Sequence, residues 1–172
     1  LFRSPEFEAV ADTTTPTNEN VEITVDVTNE GVSGIASITV NGIALNNNNY
    51  MANENGKYNI TVTLNNGNSS TETIVISNID KESPVITSVS TGAPVTTINY
   101  VNIYGTEPEL VISGIDIGTA GIDMIEYQLN DSEWEKYDAD NKVLIPDNFN
   151  GNIGVRATDK AGNVSEIVVS DD

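Results

Sequence analysis

Gly56-Lys57-Tyr58-Asn59-Ile60-Thr61-Val62-Thr63-Leu64-Asn65-Asn66-Gly67-Asn68-Ser69-Ser70 returns without a gap as Gly151-Asn152-Ile153-Gly154-Val155-Arg156-Ala157-Thr158-Asp159-Lys160-Ala161-Gly162-Asn163-Val164-Ser165. Two glycines, the turn Asn and the Ser beyond it fall in step. Each stretch reads as strand, turn and strand, so the chain is built from two copies of one module. Around the first copy, residues 21–27 and 58–64 alternate apolar with polar side chains, the mark of a half-buried strand. Residues 35–40 run into Asn41-Gly42, a strong hairpin signal, and Asn65-Asn66-Gly67-Asn68 turns the chain back into residues 73–76. Short strands with turn signals at regular spacing predict an all-β sandwich.

The second copy is longer. Strands are expected at 84–89, 100–104, 110–113 and 143–145, and residues 122–129 are the counterpart of 35–40. Within 122–129, Ile125, Tyr127 and Leu129 share one face, and Met124, Glu126 and Gln128 share the other. Asp80-Lys81-Glu82-Ser83-Pro84 reads as a short polar linker, its proline holding the preceding residue extended. Residues 1–7 fit poorly with the rest of the chain. Ser4-Pro5-Glu6-Phe7 reads as a translated cloning site, which leaves 1–7 outside the fold as a vector-derived tail. The domains are then 8–80 and 81–172. The stop after Val168-Val169-Ser170-Asp171-Asp172 reads as a cut from a longer protein at a module boundary.

Composition narrows the chemistry. The 172 residues contain no Cys and no His, which removes Ser-His-Asp and Cys-His catalysis and the usual zinc sites. Seven basic residues against 26 acidic ones give a formal charge of -19, so phosphate backbones and anionic membranes repel the chain. No apolar run is long enough to span a bilayer as a helix. Nucleic acid and membrane insertion are therefore not expected. Pairs of carboxylates that could cleave glycosides arise by chance in so acidic a chain, and no enzyme is expected.

Three features invite a binding reading. Asp159 to Asn163 offers carboxylate and amide oxygens, but an Asp opening a turn accepts backbone N–H bonds and Gly162 supplies the left-handed conformation, so a structural turn is expected. Asp138-Ala139-Asp140-Asn141 begins like a calcium loop, yet Val143 and Phe149 stand where that loop needs Gly and Glu. Calcium on a dispersed oxygen site stays open, through loop carboxylates such as Asp116, Asp123 or Glu82, or through Asp80 and Glu82 in the linker. Tyr127, Trp134 and Tyr137 form the one aromatic cluster in a chain with 6% aromatics. Exposed, they would bind a glycan; buried, they would serve the core, which is the expected role.

Gly121-Ile122 leading to Ile125-Glu126-Tyr127, then Trp134, Tyr137 and Arg156-Ala157-Thr158-Asp159-Lys160-Ala161-Gly162-Asn163-Val164-Ser165, resembles the bacterial immunoglobulin-like (Big-type) domains of Gram-positive surface and secreted proteins. The Asp-x-x-x-Pro at Asp80 and Pro84 also fits, and the likeness covers nearly all of 81–172. In the first copy Ser33-Gly34-Ile35, Asn41-Gly42 and the Gly56-x-Tyr58 pair fit, while Asn65-Asn66-Gly67-Asn68 replaces the Asp-x-Ala-Gly-Asn turn. The resemblance implies two tandem immunoglobulin-like β-sandwiches. It implies a non-catalytic spacer or adhesion role at a bacterial cell surface or outside the cell, with neighbouring modules of a longer chain as partners. A cell-wall or host glycan or protein is a further partner. The alternative is a carbohydrate-binding accessory module of an extracellular polysaccharide-degrading enzyme.

Overall fold

A computed structural model describes residues 3–92, 96–98, 101–103, 107–146 and 149–171. All regular structure among the described residues is β, and the chain divides into two compact units, Leu1–Asp80 and Lys81–Asp172.

In the first unit, β1 (Glu6–Ala11), β2 (Val21–Asn29), β3 (Ile35–Val40), β4 (Ile43–Ala44), β5 (Asn49–Ala52), β6 (Gly56–Leu64) and β7 (Ser69–Ile76) form two antiparallel sheets, ordered β1-β2-β5 and β4-β3-β6-β7. Alternation decides which side chains enter the space between them. Val21, Ile23 and Val25 point inward from one sheet, and Tyr58, Ile60 and Val62 from the other. Ile38, Val40, Ile76 and Ile79 complete this core. Burying each such Val or Ile contributes about 1.5–3 kcal/mol before the entropy of ordering the chain is set against it. The β3–β4 hairpin turns at Asn41 (φ 49°) and Gly42 (φ 82°), the two positive φ values of a type I′ turn.

The second unit contains β8 (Val85–Ser90), β9 (Thr96–Ile98), β10 (Val101–Ile103), β11 (Glu109–Ile115), β12 (Ile122–Leu129), β13 (Glu135–Tyr137), β14 (Val143–Leu144), β15 (Asn152–Asp159) and β16 (Val168–Asp171). Its sheets run β14-β11-β8 and β13-β12-β15-β16, with β9 and β10 paired on their own. Ile86, Leu110 and Ile112 face Tyr127, Ile153, Val155 and Ala157 across the core. Of the strand expected at 100–104, residues 101–103 are extended; Tyr100 and Tyr104 lie outside the described residues.

The sequence repeat is a repeat in space. β6 pairs with β3, and β15 pairs with β12, both antiparallel. Leu64 N donates to Asn68 O and Gly67 N to Leu64 O, at 2.8 and 2.9 Å; Asp159 N donates to Asn163 O and Gly162 N to Asp159 O, at 3.0 and 3.2 Å. Gly67 and Gly162 have φ of 89° and 92°. Even the neighbouring loop matches: Asn65 N donates to Gly34 O, and Lys160 N to Gly121 O.

One expectation is corrected. Residues 1–7 do not all lie outside the fold, because β1 begins at Glu6, and Phe7 is buried among the core residues of the first unit. Phe7 takes the inward position opposite Val27 on β2, and an apolar ring in register with a core strand is drawn in whatever its neighbours suggest. Pro5 is also buried, and its carbonyl accepts from Ser70 Oγ at 2.7 Å.

Candidate functional site

The inward positions of β15 are Ile153, Val155, Ala157 and then Asp159, which is only 2% exposed. The matching positions of β6 are Tyr58, Ile60, Val62 and Leu64, also 2% exposed at its last member. The second unit therefore buries a carboxylate where the first buries a leucine. Burying an ionised carboxylate is costly unless donors surround it. Asp159 Oδ1 accepts from Ala161 N and Asn163 N, both at 2.9 Å, and Oδ2 accepts from Asn163 Nδ2 at 2.8 Å. These bonds explain the local sequence: Gly162 turns the chain so that the amides on either side of it point back at one oxygen. The turn read from the sequence is thus the place where Asp159 works.

A second carboxylate stands close by. Asp116 lies in the loop between β11 and β12, where its oxygens accept from Gly118 N and Gly121 N. Ligand oxygens of Asp116 and Asp159 lie within 4.8 Å of each other. This pair could supply oxygens to a divalent cation; calcium takes six to eight, so backbone carbonyls or water would have to complete the shell. Of the other carboxylates named from the sequence, Asp123 is exposed on β12 and Glu82 is exposed. Asp80 is 4% exposed, and its amide donates to Thr17 O at 2.8 Å, so it belongs to the closing stretch of the first unit. Asp138 closes its own turn, accepting from Asp140 N and Asn141 Nδ2.

The aromatic residues do not form a shared binding face. Tyr127 is 8% exposed, in the core, and its hydroxyl donates to Glu135 Oε2 at 2.9 Å. Tyr137 packs against the same core, and its hydroxyl accepts from Ile112 N at 3.3 Å. Trp134 is half-buried, and the Arg156 guanidinium stands over its ring, 4.3 Å from the centroid. Arg156 Nε also donates to Glu126 Oε2 at 2.8 Å, across the β12–β15 pair in which these residues are directly opposed. The ring and the carboxylate hold one guanidinium between them on the outer face of the sheet. Sequence reading missed Arg156 and Glu126. Only the pairing register brings a residue of β15 over a ring that precedes β13.

This brace has a measurable worth. Arg156→Lys keeps the charge but loses the planar group that stacks and bonds at once. We expect it to cost about 0.5–1 kcal/mol, the usual range for such a stack. Urea titration monitored by Trp134, the single tryptophan, gives the value, and the emission maximum should shift in the folded state.

Two buried phenols set the response to alkali. Burial raises the pKa of Tyr127 above 10.0, with the Glu135 hydrogen bond adding to it. Burial does the same for Tyr58, with the neighbouring Tyr50 adding to it. Folding keeps both phenols neutral, so the stability they contribute is fully present below pH 10 and is lost as pH rises through the raised values. Melting temperatures should be flat from pH 8 to about 10 and fall beyond it, and Tyr127→Phe should soften the fall.

No protein-family model matches the chain, and no curated protein matches it. Among solved structures, it is similar to the fibronectin(III)-like modules of Clostridium thermocellum CbhA, at 11% identity and a TM-score of 0.38, over 94% of this chain and 91% of that one. The fold assignment stands on the strand order and register of the chain itself.

Proposed function

We propose that the chain is a pair of non-catalytic structural modules of the Big-type immunoglobulin-like kind, from a Gram-positive cell-surface or secreted protein. They would hold neighbouring modules apart and serve in adhesion through what those modules display. The observation that carries this reading is where the chemically able side chains go. Asp159 is engaged by its own turn, Tyr127 and Tyr137 by the core and its backbone, and Trp134 by Arg156. Groups that could have met a ligand instead hold the sandwich together. The strong negative charge supports the same reading, since it keeps a module soluble and apart from phosphate-rich polymers.

The alternative, a carbohydrate-binding accessory module, rests on the part of the Trp134 ring that stays exposed. Retention on soluble and insoluble polysaccharides separates the two. Structural modules pass through unretarded, whereas retention of the wild type that disappears in Trp134→Ala would replace the structural reading with the glycan-binding one.

A further inference from the structure

The way the chain leaves the first unit differs from an ordinary strand end. Residues 78–80 lie past β7 and are held from two sides. On one side, Thr17 pairs with Ile79 in parallel, with Thr17 N donating to Asn78 O at 2.9 Å and Asp80 N donating to Thr17 O at 2.8 Å. On the other, the Asn55 amide imitates a strand: its Nδ2 donates to Ile79 O at 2.8 Å and its Oδ1 accepts from Ile79 N at 2.9 Å. Asn78 Nδ2 reaches back to Thr15 O at 2.8 Å and Thr13 O at 3.3 Å. The Ile79 side chain, 6% exposed, is plugged into the core.

We propose that residues 78–80, gripped by Thr17 and Asn55, form a mechanical latch that resists tension along the chain. This inference rests on the spacer reading and gives it a mechanism. Direction is what matters. In a parallel pair the upstream strand leaves at one end and the downstream strand at the other. Tension that enters through Asp80 therefore slides residues 78–80 lengthwise along Thr17, and the bonds on both sides are loaded together. An antiparallel hairpin pulled at its open end gives way one bond at a time. The Thr17 side is itself anchored, because Asp12 N donates to Glu22 O at 2.9 Å and Asp12 Oδ1 accepts from Glu22 N at 3.0 Å. Forced unfolding is governed by the unfolding barrier, so bonds broken together at the first step set the resistance.

Single-molecule stretching of the full chain tests this. The chain has no cysteine, so introduced cysteines define the points of attachment. Pulled from its ends, the wild type should show a rupture event for each unit. Asn55→Ala and Asn78→Ala should each lower the rupture force of the first unit and leave that of the second unchanged. Attachment through Lys57→Cys and Val75→Cys, which are paired near the open end of the β6–β7 hairpin, should unfold the first unit at lower force than pulling from the ends. If Asn55→Ala does not fold, Asn78→Ala, which removes the donor to Thr13 O and Thr15 O, carries the test alone. The latch is overturned if the Asn variants rupture at the wild-type force, or if the hairpin attachment is as strong as the terminal one. Polysaccharide retention would overturn the spacer reading without changing any of these forces, so the two failures can be told apart.

Discussion

Asp159→Ala should destabilise the second unit by about 3–5 kcal/mol, because three buried donors lose their acceptor and each such orphan costs roughly 1–3 kcal/mol. The donors are Ala161 N, Asn163 N and Asn163 Nδ2, all buried with the carboxylate. Trp134 lies in this unit and is the single tryptophan, so its fluorescence in urea reads the loss directly. The first unit shows how the same turn is kept without a buried charge. There the inward residue is Leu64, and Asn68 N donates to Asn66 Oδ1 at 3.0 Å. Asn66 stands where the second unit has Ala161. Asp159→Leu alone should therefore be strongly destabilising, and adding Ala161→Asn should restore part of the stability. A double-mutant cycle gives the coupling, and no recovery in the pair would mean that the two turns are not interchangeable solutions.

Ile60→Ala should cost the first unit about 2–5 kcal/mol, the range for removing a buried Ile side chain from a packed core. Ile60 is fully buried at the centre of β6. A unit of 80 residues has roughly 4–12 kcal/mol of stability in all, so one such cavity consumes a large part of it. Val75 on the adjoining strand is 58% exposed, and Val75→Ala should cost less than about 0.5 kcal/mol. Near-ultraviolet circular dichroism, to which the Tyr50–Tyr58 pair with rings 5.5 Å apart contributes, follows this unit when read beside the Trp134 fluorescence that reports the other. Equal losses for the two variants would contradict the placement of the core between the sheets.

The repeat makes much of this architecture legible from the residues alone. Strand alternation in 21–27 and 58–64 places Ile23 and Ile60 inside because side-chain period and burial are the same fact in a half-buried strand. Asn41-Gly42 and Gly162 are readable because few residues accept positive φ. Less legible are features set by register. Nothing in the spacing of Glu126, Trp134 and Arg156 says that they meet; the β12–β15 pairing decides it. Asn55 gripping Ile79 joins residues 24 apart, and Thr17 grips the same segment from a stretch without strand pattern. Phe7 reads as part of the tail because local composition cannot reveal that a ring completes a distant core. Asp159 is readable as a turn residue but not as a core position. That requires the alignment of Leu64 with it and the burial of both.

The structural role proposed for this chain turns on Asp159, the most deeply buried carboxylate among the described residues. Thermal melting of wild type and Asp159→Asn, each in calcium, in magnesium and in chelator at fixed ionic strength, tests that most directly. A ligand that binds only the folded state raises its melting temperature, so an ion served by this carboxylate would produce a difference between the buffers. Wild type should stay above Asp159→Asn in chelator: the amide oxygen can still accept from Ala161 N and Asn163 N, but its NH2 would face Asn163 Nδ2, and that loss is the same whether or not an ion is present. The contrary result is a wild type that falls in chelator to the melting temperature of Asp159→Asn and recovers with calcium alone, which would make Asp159 a metal ligand first and a turn residue second.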